Sequence, residues 1–579
     1  MWRLLLTLVV LASAARSETE LWRHDLRSPE TQAYIMRLQQ EQAQVQAQQQ
    51  PDKLQPLPLP QAQPLPQAQP QAIQQPPIPE SAPLASPGLV NRYSNTQINP
   101  TTASAPSSAW AGGVPSSGSG SGSSYVDVAS SDQIARSVLN FAQNLANQLS
   151  VRNRKTEVFS PLSIVSSLAL LLLGAKGRSY QELSSVFGMS DTIKLHQQFG
   201  QMLQDVRQPT RDLVSAQRPL VPWRINNGQR TYRRSQRPAP HEVHLANGLF
   251  TQLGYTLNAG YSQVIRDIYG SDLETQDFEA SPAKARYNIN SWVAEHTRNH
   301  IDSIISSDIP QSTRMILANA LYFKAFWETD FIESATKPDS FYPNGEGTQP
   351  VLSVQMMATG GSFPYHEDHQ LGCKILGLPY RGNLSTMYII QPFKSSVDKL
   401  QMLQQRLNAD VIEDMISKMV RRSAVMAFPK MHITESVSLK TMLQHMGLGG
   451  IFSTVQNDLS LIATNEAQSS SAASGRSASA ASERLSNSLG GNGLQSLEAQ
   501  RRASPAARSD LVVDDIVHKV DFTVNEQGTE AAAATVTYVK KSGPDVLFRG
   551  DTPFIVLVRH DPTKLIMFYG IINEPPTAN

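Results

Sequence analysis

A run of small and strand-compatible side chains, Gly528-Thr529-Glu530-Ala531-Ala532-Ala533-Ala534-Thr535-Val536-Thr537, lies between two stretches that read as strands. Upstream, Ile516, His518, Val520, Phe522 and Val524 recur at every second position, the period of a strand with one face buried. Downstream, Phe554–Val558 and Leu565–Ile572 are apolar runs joined by His560-Asp561-Pro562-Thr563, the pattern of a buried hairpin. Small side chains enter a packed sheet without the clashes that larger ones cause. Thr535, Val536 and Thr537 favour strand, and Gly528 permits backbone angles that suit a pivot. The segment is thus compatible with two states, an exposed loop and an inserted central strand. An Ala-rich helix is the competing reading; it suits Ala531–Ala534 but not the Thr and Val residues that follow.

The rest of the chain sets limits on what surrounds this segment. Met1-Trp2-Arg3, the apolar run Leu4–Leu11 and Ala12-Ser13-Ala14 predict a secretory signal over residues 1–17. A secreted chain with a single cysteine, Cys373, forms no internal disulfide, so its stability has to come from a large apolar core. Cys373 itself reads as a small buried hydrophobe. From Gln39 to Pro79, 26 of 41 residues are Gln or Pro, too few apolar groups to offset chain entropy. With the Ser/Gly run Ser116–Ser124, this predicts that residues 18–127 are a largely disordered Gln/Pro/Ser/Gly-rich extension. The folded domain is expected over 128–579, opening with a helix that carries Ile134, Val138, Phe141, Leu145 and Leu149. Ser160-Pro161 predicts a strand-to-helix turn, with a buried helix over Ile164–Leu173. Segments 208–240 and 468–508 lack apolar periodicity and read as exposed loop insertions. The first carries Arg211, Arg218, Arg224, Arg230, Arg233, Arg234 and Arg237, a cluster suited either to a sulfated polysaccharide or simply to solvent.

Several stretches resemble the serpin family closely. Asn525-Glu526-Gln527-Gly528-Thr529-Glu530 through Thr535 is similar to the hinge of inhibitory serpins nearly residue for residue. Val158-Phe159-Ser160-Pro161-Leu162-Ser163-Ile164 resembles the start of the family's second helix, and Leu317 to Trp327 resembles its third central strand. Phe428-Pro429-Lys430-Met431, Asp551-Thr552-Pro553-Phe554-Ile555 and Asn290-Ser291-Trp292-Val293 match further family elements. The resemblance implies an α+β fold with a large central mixed sheet, two smaller sheets, about nine helices and an exposed reactive-centre loop. It also implies a mechanism in which a protease cleaves the loop, the loop enters the sheet as a strand, and the acyl-enzyme is trapped. By position, Ser160, Ser163, Asn319 and His518 correspond to the polar "shutter" under the sheet. Lys430, Glu526 and Trp327 correspond to the "breach", where insertion starts. Glu526, Gly528, Thr529, Glu530, Ala531, Ala532, Ala533, Ala534 and Thr535 form the hinge. The scissile bond is expected at Lys541–Ser542, or at Ser542–Gly543. Asn383-Leu384-Ser385 is a glycosylation sequon that such a chain could use.

These readings exclude other function classes. A net charge of +1 gives no reason to expect nucleic acid or membrane as a partner. No Gly-x-Ser-x-Gly elbow or phosphate loop is present, so no enzyme is expected. His241-Glu242-Val243-His244 and His366-Glu367-Asp368-His369 lack the spacing of a zinc protease, and neither metal nor cofactor is expected. The expected partner is an extracellular serine protease, met by a monomer, with a sulfated polysaccharide as a further candidate. The alternatives are a non-inhibitory serpin that binds or carries a ligand, and a secreted polyanion-binding protein.

Overall fold

A computed structural model describes residues 127–152, 156–207, 223, 241–382, 384–465, 491–503, 510–528 and 543–577. Helix α1 (Val128–Arg152) buries Ile134, Val138, Phe141, Leu145 and Leu149. Strand β1 (Glu157–Phe159) then turns into helix α2 (Pro161–Gly174). Ser160 caps α2, its side chain accepting from the Ser163 N–H at 3.2 Å, and Pro161 occupies the first turn, where its missing N–H costs nothing. Every residue of α2 is buried. The helix packs against one sheet through β16 (Leu565–Ile572), and against another through β2 (Glu242–Gln252) and β5 (Met315–Lys324).

The strands form three sheets. Five strands run in the order β11 (Met431–Ser438), β13 (Asp515–Val524), β5, β2 and β4 (Asp272–Gln276). This sheet is mixed: β13 lies parallel to β5, and β2 antiparallel to β5. A nine-stranded ladder joins β1, β16, β15 (Phe554–His560), β9 (Ser385–Pro392), β8 (Cys373–Pro379), β7 (Leu352–Asp368), β10 (Val420–Pro429) and β14 (Val546–Arg549), with β6 (Lys337–Phe341) on β7. β3 (Tyr255–Leu257) and β12 (Ala463–Asn465) make the third. The hairpin expected near the C-terminus is β15–β16.

Alternation along β5 separates two cores. Met315, Leu317, Leu321 and Phe323 join the main core. Ile316, Ala318 and Ala320 face the other way, into a smaller cluster under helix α6 (Pro282–His296) with Ile289, Trp292, Ile301 and Ile304. Further helices are α3 (Gly177–Phe187), α4 (Thr192–Arg207), α5 (Ala259–Tyr269), α7 (Val397–Arg406), α8 (Ala409–Lys418) and α9 (Lys440–His445). Cys373 is buried, 3.9 Å from the Met415 sulfur, and burial pushes its thiol up to about 12, so it is no nucleophile at neutral pH.

One expectation needs correction. The second insertion, 468–508, was expected to be an exposed loop, yet it contains helix α10 (Gly491–Arg502), the tenth among the described residues. Only Leu494 and Leu497 supply its buried stripe, too short a pattern for periodicity to register. Its stability comes from docking on α4 and α5 instead.

Candidate functional site

The site is the seam between β5 and β13 and the turn at its upper end. Parallel pairing runs from Asp515↔Ile316 to Val520↔Leu321 and stops there. Beyond it, β13 continues against β11 alone, as far as Val524↔Met431. The seam is therefore closed along its length and forked at the top.

At the fork, β13 ends in a turn over Asn525–Gly528. The Asn525 side-chain oxygen accepts from the N–H groups of Gln527 and Gly528, each at 3.1 Å. Gly528 has φ +132°, and it bridges to Phe326. A Cβ there would stand 2.1 Å from the Ala325 carbonyl oxygen, so glycine alone fits. Trp327, 1 % exposed, holds the turn twice: its N–H donates to the Gln527 carbonyl at 3.1 Å and its indole N–H to the Asn525 carbonyl at 2.9 Å. The indole stacks on Tyr380 at 4.4 Å between ring centres. The Phe331 N–H donates to the Glu526 carbonyl at 2.7 Å. The Glu526 carboxylate accepts from Lys430 Nζ at 3.0 Å and from the Thr336 hydroxyl at 2.9 Å. Burial pushes this carboxyl up, but a backbone bond, Lys430 and Thr336 together hold it below its ordinary range. Lys430 is half-exposed, so the pair contributes geometry more than stability.

Midway down the seam, on the main-core side, sits a buried polar network. His518 and Asn319 are register partners across the β13–β5 ladder. The Ser160 N–H donates to His518 Nε2 at 3.0 Å, which leaves Nδ1 protonated and donating to Asn319 Oδ1 at 2.5 Å. The same oxygen accepts from the Ser163 hydroxyl at 2.7 Å. The Asn319 amide nitrogen donates to the Ser163 carbonyl at 2.5 Å, to Ser167 Oγ at 2.9 Å and to Asn247 Oδ1 at 2.6 Å. Burial drops the His518 imidazole to about 3, so it is neutral at physiological pH. A neutral ring with one donor and one acceptor is what this network requires.

The model of the serpin family, described as a serine protease inhibitor, matches residues 136–575. This chain belongs to the serpin family. Serine protease inhibitor 28Dc of Drosophila melanogaster is 64 % identical, with 100 % of both chains aligned. Leukocyte elastase inhibitor of Equus caballus is 26 % identical over 77 % of this chain and 100 % of its own. Uncleaved ovalbumin superposes with a TM-score of 0.57 at 22 % identity, covering 76 % of this chain and 100 % of that one. Human thyroxine-binding globulin gives 0.59 at 19 %, covering 77 % and 99 %. These two likenesses establish the α+β serpin fold. The matched family is one of inhibitors, so this serpin is not an enzyme.

In this serpin the expected shutter residues Ser160, Ser163, Asn319 and His518 converge, as do the expected breach residues Lys430, Glu526 and Trp327. Sequence reading missed Asn247 and Ser167 in the first group, and Thr336 and Tyr380 in the second. Asn247 carries a signal: it stands in a strand whose other residues from Leu245 to Phe250 are apolar or glycine. Hinge residues Thr529, Glu530, Ala531, Ala532, Ala533, Ala534 and Thr535 lie outside the described residues, as do Lys541, Ser542, Asn383 and Arg224, Arg230, Arg233, Arg234 and Arg237. Gly543 is described, and just beyond it the Asp545 N–H donates to the Ser423 carbonyl at 2.7 Å, while β14 pairs parallel with β10. The Ser385 hydroxyl of the sequon is buried, 3.2 Å from His241 Nδ1, and His241 Nε2 meets the Val206 carbonyl at 2.9 Å.

Proposed function

We propose that this serpin is a secreted suicide inhibitor of a trypsin-like extracellular protease acting in a proteolytic cascade. The observation that carries the reading is the Gly528 turn, seated at the open fork of an otherwise closed β5–β13 seam. The target supplies the serine nucleophile and this chain supplies the scissile bond. Acylation leaves the protease on the residue before the cut, and the freed strand pairs between β5 and β13 before water releases the enzyme. Fourteen residues, 529–542, separate the turn from Gly543, enough to run along the ten residues of β13. Residues 1–17 serve as the export signal, and Asn383 is a glycan acceptor in this reading.

The scissile bond is Lys541–Ser542 in this account, because a cation held against a buried carboxylate outweighs what the small Ser542 side chain offers a specificity pocket. The test is incubation with trypsin-, chymotrypsin- and elastase-like proteases, followed by denaturing electrophoresis and mass spectrometry of the released peptide. A denaturant-stable complex and a peptide beginning at Ser542 support the reading. A peptide beginning at Gly543 moves the bond, and cleavage without any complex favours the non-inhibitory alternative.

A second reading, polyanion control, is favoured by Trp223. This residue of the Arg-rich insertion is buried against Tyr388, and its carbonyl accepts from Arg421 Nε at 3.3 Å. Arg421 also pairs with Glu328 at 2.8 Å. Glu328 follows Trp327, which holds one foot of the loop, and Arg421 stands two residues before Ser423, which holds the other. Heparin that speeds complex formation in the parent but not in a chain lacking 224–240 supports this control.

A further inference from the structure

Helix α10 docks on α4 and α5. Leu494 and Leu497 bury it, and Gly493 lets it approach α5 so closely that a Cβ would stand 2.6 Å from Val264. Its last turn carries Arg501, whose side chain is 9 % exposed. The guanidinium does not point to solvent. Its Nη2 donates to the carbonyls of Leu172 at 3.0 Å and Leu173 at 2.9 Å, and its Nε to that of Ala175 at 3.0 Å. Glu498 holds the remaining side of the fork, and the Tyr180 ring lies 4.5 Å from its centre.

These three carbonyls belong to the C-terminal end of α2, a helix with no basic residue of its own in the last turn. The Leu172 carbonyl also accepts from the Ala175 N–H at 3.3 Å, and the remaining acceptor capacity and the negative end of the helix dipole are met by a cation from a remote insertion. The other end of α2 bears Ser160 and Ser163, which bond His518 and Asn319 across the seam. Between the two ends α2 is buried throughout, about 21 Å of helix with no free face on which to shift. Where the C-terminal end is gripped therefore decides where the Ser160–Ser163 end sits against β5 and β13.

We propose that Arg501 is a positioning residue for loop insertion: by holding the C-terminal end of α2 it registers the shutter and restrains β5 and β13 from parting. The inference rests on the inhibitory reading above. The insertion that carries α10 then tunes how fast this serpin's sheet opens. Loosening the grip lets the seam part more readily, so the uncut loop enters it spontaneously and inhibitory activity is lost.

The test uses the full-length protein, Arg501→Ala, Arg501→Lys and Glu498→Gln. Two quantities are read: the rate at which inhibitory activity decays at 37 °C without protease, and the unfolding midpoints of the intact and loop-cleaved forms. Expected is decay about threefold or more faster in Arg501→Ala, with Arg501→Lys between it and the parent, because one ammonium cannot span three carbonyls. Glu498→Gln, which leaves the Arg501 cation in place but removes the carboxylate that aims it, should shift in the same direction and carries the test if Arg501→Ala does not fold. The intact form should lose more of its midpoint than the cleaved form. Equal falls in both midpoints with an unchanged decay rate would mean that Arg501 merely caps a helix, and would overturn the inference. A parent protein that traps no protease would sink the functional reading instead, and this inference with it.

Discussion

At the scale of single residues, Gly528 is the most constrained. Its φ of +132° and the 2.1 Å approach of the Ala325 carbonyl leave no room for a side chain. Gly528→Ala has to displace backbone at the fork, at a cost of about 2 kcal/mol. Urea unfolding checks this, and a loss under about 0.5 kcal/mol would mean the turn is not held as described. His518 and His196 make a second case. His196 is buried on α4, its Nδ1 2.5 Å from the Tyr269 hydroxyl, and burial with the nearby Arg501 charge drops it to about 3, as burial alone does for His518. Unfolded, each imidazole takes up a proton near pH 6.5. Between these values the unfolded chain binds more protons than the folded one, so stability falls as pH drops from 7 towards 4. Each histidine removes roughly 2 kcal/mol at pH 5. His518→Gln should flatten the slope of urea stability against pH by about one proton over this window. An unchanged slope would show that the ring is already charged in the fold.

Among the elements, what the sequence disclosed followed periodicity. β13 and the β15–β16 hairpin were legible because a two-residue period or an apolar run bounded by Asp-Pro admits few other structures. The start of α2 was legible because Ser-Pro before an apolar run both caps and starts a helix. The nine-stranded ladder was not, since β1 pairs with β16 and β10 with β14 across more than a hundred residues and no local pattern records such pairing. α10 escaped because two leucines make too small a stripe, and Asn247 because a lone amide in an apolar strand does not announce its partner. In the proposed mechanism the hinge is the segment on which function turns. If the segment inserts as proposed, Thr529→Arg would carry a charge into the sheet, where burying it unpaired is costly. The variant should be cleaved at the loop without trapping, measured as the ratio of cleaved inhibitor to complex. Parent-like stoichiometry would rule out insertion of this segment.

On the scale of the whole molecule, the proposed mechanism requires the fold to hold free energy in reserve behind one closed seam. The shutter network and the six paired positions between β5 and β13 keep the seam shut, while the Gly528 turn waits at its fork. Filling the seam with the cleaved loop would add on the order of ten ladder hydrogen bonds at about 1 kcal/mol each. Against an unfolding entropy of roughly 0.85 kcal/mol per kelvin for a domain of about 400 residues, this raises the midpoint by about 10 °C. The direct measurement is the unfolding midpoint of the full-length protein before and after a single cut in the loop. A rise of that order is expected. An unchanged or lower midpoint would contradict it, because the loop would then have no place in the sheet to go.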